Sequence, residues 1–203
     1  IDYYNGDLYY GEEDRISILR DLKDNGTYRQ QKVLIGNLPS GGGATTIAGH
    51  VTRTVRVGPD LKLYFTIGSS CNICEEDDPR RATMMVANLD GSNPEIFATG
   101  LRNTVDFTFI PNFDTEKEFD IIGVDNGRDR IGDDLPPEEV NLIEQGKDYG
   151  WPYCYGNGIN NPEYEDRKDY CQTGTEDALY NMQAHSAPLG IININNQNLP
   201  SEL

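Results

Sequence analysis

Two ten-residue stretches of this chain overlay without a gap: His50–Pro59 (HVTRTVRVGP) and Arg102–Pro111 (RNTVDFTFIP). Each alternates polar and apolar residues, ends in proline, passes through a polar turn and enters a second strand, Leu61–Ile67 in one and Glu118–Val124 in the other. A fainter third copy is His185–Ile194 (HSAPLGIINI). The stretch Gly6–Tyr10 (GDLYY) reads as the second strand of a further copy whose first strand is missing. A unit this short cannot bury both faces of its own strands, so copies must stack on one another. The unit reads as a loop, an inner strand, a tight turn, a second strand and outer strands, which is the plan of a propeller blade. Alternation places Val55 and Val57, Phe107 and Phe109, and Gly190 and Ile192 between blades. The residues just before each inner strand, His50, Arg102 with Asn103, and His185, then converge on one mouth of the central channel.

The rest of the chain agrees with an all-β fold. Short apolar runs recur at Asp7–Tyr10, Arg15–Arg20, Lys32–Ile35, Thr54–Val57, Lys62–Ile67, Thr83–Asn88, Glu95–Ala98, Asp106–Ile110, Glu118–Val124 and Gly190–Ile194. Turn residues such as Asn25-Gly26, Gly58-Pro59-Asp60 and Asp90-Gly91-Ser92 separate them. The best helix signal is Pro136–Gln145 (PPEEVNLIEQ), with proline at the start and acids in the first turn. The expectation is a single domain over residues 1–203, an all-β, partial β-propeller holding about three to four blades.

Acidic residues number 34 against 17 basic ones, a formal net charge of −17. Such a surface repels nucleic acid and anionic lipid. No run approaches the ~18 apolar residues of a membrane span. The four cysteines, Cys71, Cys74, Cys154 and Cys171, allow three pairings. In an oxidising compartment 71–74 with 154–171 is the simplest; a zinc site is the rival, although it lacks a second C-x-x-C or a close histidine pair. Glu75 stands where a c-type haem motif needs histidine.

Five ordered motifs carry a resemblance. They are GHVTRTVRVGPDLKLYFTIGSSCNICEEDDPRRA (49–82), IFATGLRN (96–103), DNGRD (125–129), GDDLPPEEVNLIEQGKDYGWPYCYG (132–156) and AHSAPLG (184–190). Together they resemble the soluble quinoprotein glucose/sorbosone dehydrogenases, with SSCNICEEDDPRRA and GDDLPPEE most similar to the sorbosone dehydrogenase branch. The resemblance implies a six-bladed β-propeller that holds pyrroloquinoline quinone (PQQ) and calcium at the channel mouth and oxidises a sugar by hydride transfer from C1. It implies His50 as catalytic base, a role that suits an imidazole titrating near neutrality. It implies Arg102 and Asn103 as the pair contacting the quinone. Gly127 and Arg128 match the positions whose backbone carbonyls bind the cofactor calcium, and Glu139 and Tyr149 those of a second, structural calcium, with Tyr149 contributing its main-chain oxygen. It also implies an external electron acceptor and a periplasmic or extracellular location.

The sequence departs from the family pattern in three ways. Further blades are expected beyond Asn198–Glu202 and before residue 1; missing segments or other chains would complete the ring. Thr104 and Asp106 replace the usual proline and glycine, and an acid there is expected to alter the charge of the site. Leu61 replaces a common turn glycine. The alternative to a dehydrogenase is a non-catalytic propeller piece that serves as a binding or structural module of an extracellular protein.

Overall fold

The structure, a computed structural model, describes residues 1–41, 49–112 and 118–194. These form three four-stranded antiparallel sheets. The first is β1 (Asp2–Tyr4), β2 (Asp7–Gly11), β3 (Ile16–Leu22) and β4 (Tyr28–Ile35), and the second is β5 (Val55–Val57), β6 (Lys62–Ile67), β7 (Thr83–Asn88) and β8 (Glu95–Ala98). The third begins with β9 (Thr104–Pro111), β10 (Phe119–Asp125) and β11 (Glu138–Ile143). An excursion follows: the hairpin β12 (Cys154–Tyr155) and β13 (Ile159–Asn160), a 3-10 turn over Pro162–Arg167, and helix α1 (Lys168–Thr173). The chain then returns as β14 (Tyr180–Met182), which pairs with β11 and closes the third sheet.

The middle sheet explains why the sheets stack. Along β6, Leu63, Phe65 and Ile67 face one neighbour and Tyr64 faces the other; along β7, Met85 and Ala87 oppose Met84 and Val86. Successive side chains of a strand leave opposite faces, so a sheet apolar at every position must be covered on both sides. The first set joins Tyr9, Ile16, Ile18 and Ile35 of the first sheet. The second joins Phe107, Ile121 and Ile143 of the third. Inner strands of adjacent sheets lie side by side, with the Thr54 hydroxyl donating to the Val105 carbonyl. These are three blades of a β-propeller among the described residues.

The structure corrects several expectations. Pro136–Gln145 is not helical: Glu138–Ile143 is β11, paired along Val140–Ile143 with Ile121–Val124 of β10. Its Val140, Leu142 and Ile143 fit a pleated ladder, and sheet pairing overrides the local helix signal. The copy at Gly6–Tyr10 does have a first strand, since Asp2–Tyr4 pairs with β2. The third copy, His185–Ile194, is not a regular strand, although it lies along β9: Ile191 N donates to Asp106 Oδ2 at 3.1 Å and Asn193 Nδ2 to the Phe109 carbonyl at 3.3 Å. Gly190 and Ile192 are exposed rather than packed between blades. Asn198–Glu202 lies outside the described residues. Leu61 holds φ at +62°, a conformation natural to the glycine it replaces.

Both expected disulfides are present, Cys71–Cys74 and Cys154–Cys171. The second, across a separation of 17 residues, ties β12 to α1. Replacing Cys154 and Cys171 together by serine is expected to lower the unfolding free energy by about 3 kcal/mol, measured by urea titration. Among the described residues no helix is long and apolar enough to cross a membrane.

Candidate functional site

Strand direction brings four loops to one end of the sheets: residues 49–53, 68–82, 99–103 and 126–137. Ser69 sits at their centre and is fully buried. Its N–H donates to the Arg102 carbonyl at 2.8 Å and its own carbonyl accepts from His50 N–H at 2.9 Å. Gly68 lets the neighbouring groups close in, since a Cβ there would lie 2.5 Å from His50 Cβ and 2.8 Å from Asn103 Oδ1. His50, Arg102 and Asn103, far apart in sequence, are thus gathered around two residues of the β6–β7 loop.

The orientation of His50 follows from its partners. Nδ1 lies 2.9 Å from Ser69 Oγ and 3.2 Å from the Ser69 carbonyl. The Ser69 hydroxyl donates to the Cys71 carbonyl at 2.8 Å, so its oxygen accepts from the imidazole, and a carbonyl can only accept. We therefore assign the proton to Nδ1, which leaves a lone pair on Nε2 with no hydrogen bond among the described residues. The His50 carbonyl accepts from Arg53 at 3.2 Å and Arg81 at 3.3 Å, which pins the backbone. Burial, then the Arg102 charge, push His50 down to about 4, well below the near-neutral value expected from sequence.

Arg102 is buried. Its Nε and Nη2 reach Asn72 through the backbone and side-chain oxygens, at 3.2 and 3.0 Å. Its Nη1 reaches the carbonyls of Asn126 and Gly127 at 2.9 and 2.7 Å. These four contacts leave one of the five guanidinium N–H groups without a partner among the described residues. Asn103 N–H donates to Asp125 at 3.0 Å, and its amide nitrogen lies 3.5 Å from Asn126 Oδ1.

Gly127 and Arg128 border the same mouth. Gly127 N–H donates to Glu138 Oε2 at 2.6 Å, and a Cβ on Gly127 would crowd the Pro137 carbonyl at 2.9 Å. The Arg128 side chain turns away to Glu163 at 2.5 and 2.9 Å. The exposed Asp129 is close enough to bear electrostatically on both His50 and Arg102.

Glu139 and Tyr149 meet at a cavity of about 20 Å³, whose wall also includes Asp125, Gly127 and Trp151. That is room for about one water or one ion. Asp125 and Glu139 are opposite one another in the β10–β11 register. Burial raises Asp125 to about 6; burial, then the Asp125 charge, raises Glu139 to about 7. Hard oxygens around a small cavity, with two carboxylates held above their ordinary range, suit a cation such as calcium.

A raised acid holds its proton more tightly in the folded state, so it lowers stability as pH climbs from its unfolded value to its folded one. The Glu139→Gln variant is therefore expected to gain on the parent by about 2 kcal/mol between pH 4.5 and 7.5 in chelator, allowing for partial solvent access. Comparing the two proteins removes the opposing effect of His50, whose depressed value makes stability rise with pH from about 4 to 6.5. Millimolar calcium should abolish the difference. Thermal melts across pH check it; parallel melting curves for the two proteins would refute it.

His185 is exposed and bonds the Gly132 carbonyl of the 126–137 loop at 2.9 Å; no described contact joins it to His50 or Arg102. One expectation fails here. Asp106 does not charge the mouth: it pairs with Arg56 at 2.7 Å and caps Ile191 N–H. The zinc alternative fails as well, because the sulfurs of Cys71 and Cys74 are joined to each other in a disulfide. Ser69, Asn72, Asn126 and Glu138 escaped sequence reasoning because their parts depend on contacts across loops. A wider cleft of about 530 Å³ at the opposite end, lined by Tyr64, Phe97 and Phe119, contains none of the predicted site residues.

The sheets and this mouth define a β-propeller with a polar site at one end of its blades. The glucose/sorbosone dehydrogenase family model matches residues 8–201, and the chain belongs to that family. An uncharacterised protein of Borreliella burgdorferi is 30% identical over the whole chain, which covers 53% of that relative. The chain thus spans about half the length of the curated relative it matches. Among solved structures, the calcium structure of a Trichoderma reesei family AA12 enzyme is 20% identical with a TM-score of 0.71, covering 91% of this chain and 55% of that one. The holo PQQ domain of a Coprinopsis cinerea pyranose dehydrogenase is 18% identical with a TM-score of 0.70, covering 91% and 54%. The PQQ-bound aldose sugar dehydrogenase of Streptomyces coelicolor is 18% identical with a TM-score of 0.58, covering 87% and 48%.

Proposed function

We propose that this chain is part of a dehydrogenase that oxidises an aldose or aldehyde sugar with pyrroloquinoline quinone and calcium at the mouth described above. The observation that carries the reading is the seating of His50 Nδ1 on the Ser69 oxygens, which assigns the proton to Nδ1 and leaves the Nε2 lone pair for a substrate hydroxyl. Bound there, the quinone supplies the acceptor for the hydride that leaves the sugar C1. His50 Nε2 takes the hydroxyl proton, while Arg53 and Arg81 keep its backbone from moving with the substrate.

The residues present fit the cofactor in kind. Arg102 keeps one N–H, and Asn103 an amide, for its carboxylates and ring oxygens. The carbonyls of Gly127 and Arg128 would hold the cofactor calcium; the Gly127 oxygen has a second lone pair besides the one facing Arg102. Glu139 and the Tyr149 carbonyl, with Asp125 beside them, would hold a structural calcium. The remaining blades come from further sequence or other chains, and the electrons leave to an external acceptor. Two disulfides and the motifs of the sorbosone-type branch favour a periplasmic or extracellular setting.

The test is a titration of the purified protein with quinone in calcium, followed by absorption and by dye-linked oxidation of a sugar panel. Saturable binding with sugar-dependent dye reduction is expected. Absence of quinone binding, with and without calcium, would overturn the proposal in favour of a non-catalytic binding module.

A further inference from the structure

The loop Ser69–Cys74 has a part in the site that neither His50 nor Arg102 accounts for. Asn72 lies inside the ring closed by the Cys71–Cys74 disulfide. Its side chain makes a two-way clamp on Asp129, the oxygen accepting from Asp129 N–H at 2.8 Å and the nitrogen donating to the Asp129 carbonyl at 3.0 Å. The same side-chain oxygen and the Asn72 carbonyl accept from Arg102. One residue of the second blade thus holds both the guanidinium and the 127–129 loop of the third. The neighbouring Cys71 carbonyl fixes the Ser69 hydroxyl, which in turn fixes Nδ1 of His50.

We infer that Asn72 is the positioning residue for Arg102 and the 127–129 loop, and that the Cys71–Cys74 disulfide belongs to the site because it holds Asn72 in place. A four-residue disulfide ring removes little chain entropy from the unfolded state, so stability alone gives it a small role. It does restrict the backbone on both sides of Asn72, and a guanidinium held by two oxygens of one residue needs that backbone fixed. The inference deepens the proposed function, since Arg102 matters to chemistry only if it meets the quinone. The clamp itself can be tested without any cofactor.

Arg102 is 7% exposed and should resist an arginine-specific dicarbonyl reagent, with the labelled sites mapped by peptide mass. Asn72→Ala is expected to raise its labelling rate roughly tenfold, as the charge-assisted bond to Asn72 Oδ1 and the two bonds that hold Asp129 are lost. Arg53 and Arg81, buried and held by other partners, should stay protected and so report that the fold survives. Asn72→Asp keeps the acceptor oxygen at the same reach and should leave Arg102 protected. A second route needs no substitution. A mild thiol reaches the partly exposed Cys71–Cys74 pair before Cys154 and Cys171, which are 3% and 1% exposed, and should unmask Arg102 in the parent protein. Unchanged Arg102 labelling in both Asn72→Ala and the reduced parent would overturn the inference. Quinone affinity, titrated in parallel, separates the two proposals: changed labelling in a protein that never binds quinone would keep the clamp and discard the dehydrogenase reading.

Discussion

Replacing Phe107 by alanine is expected to lower the free energy of unfolding by about 3–5 kcal/mol, the range for emptying a large buried aromatic site. Phe107 is fully buried at the centre of the second core, between β7 of one blade and β10 and β11 of the next. Its ring meets Phe109 edge-on at 5.9 Å, and the Arg56 guanidinium lies 6.0 Å above it. Arg56 is itself held by Asp106, so collapse of the neighbours into the hole is restricted. Leucine keeps most of the volume and should cost about 1.5 kcal/mol or less. Urea unfolding with an unchanged m-value measures both. A loss for alanine below about 1 kcal/mol would mean that the second and third sheets are not docked as described. That docking also sets the distance between the His50 and Arg102 loops, so the same variant should weaken any ligand held between them.

The largest expected effect on chemistry belongs to His50. Removing a general base typically reduces turnover by about 10²–10⁴-fold, and His50→Ala should do so while quinone binding stays close to that of the parent. Glutamine keeps the approximate shape and a polar tip but cannot take the proton, so His50→Gln should be nearly as slow. The pH profile gives an independent readout. A base must be unprotonated, and burial beside Arg102 holds His50 at about 4. The acid limb of the sugar-oxidation profile should therefore fall near pH 4, not near 6.5, and vanish in the variants. Sugar oxidation that survives His50→Ala, or an acid limb unaltered by it, would remove His50 from the role of base.

Much of the architecture was legible before any coordinates. The overlay of His50–Pro59 on Arg102–Pro111 placed two equivalent inner strands, and β6, β7 and β8 match their sequence bounds to the residue. The cysteine spacing gave a disulfide pairing that the structure contains. Pro136–Gln145 was misread because a Pro-Pro start followed by acids looks like a helix N-terminus, while the ladder to β10 that makes it a strand is tertiary. The first blade's inner strand was missed because Asp2–Tyr4 is only three residues long and too short to show a period.

The candidate site divides along the same line. Sequence by itself determined which chemical groups the mouth contains: an imidazole, a guanidinium, carbonyls beside glycine and the carboxylate of Glu139. Repeat position and motif are local properties of the chain, and they survive whatever the packing does. Only the tertiary structure decided how those groups are set. Stacking of the blades buried Arg102 against Asn72 and the Gly127 carbonyl, depressed His50, and paired Asp106 with Arg56. Protonation, hydrogen-bond choice and burial depend on neighbours contributed by other loops, and those neighbours exist only once the sheets have come together.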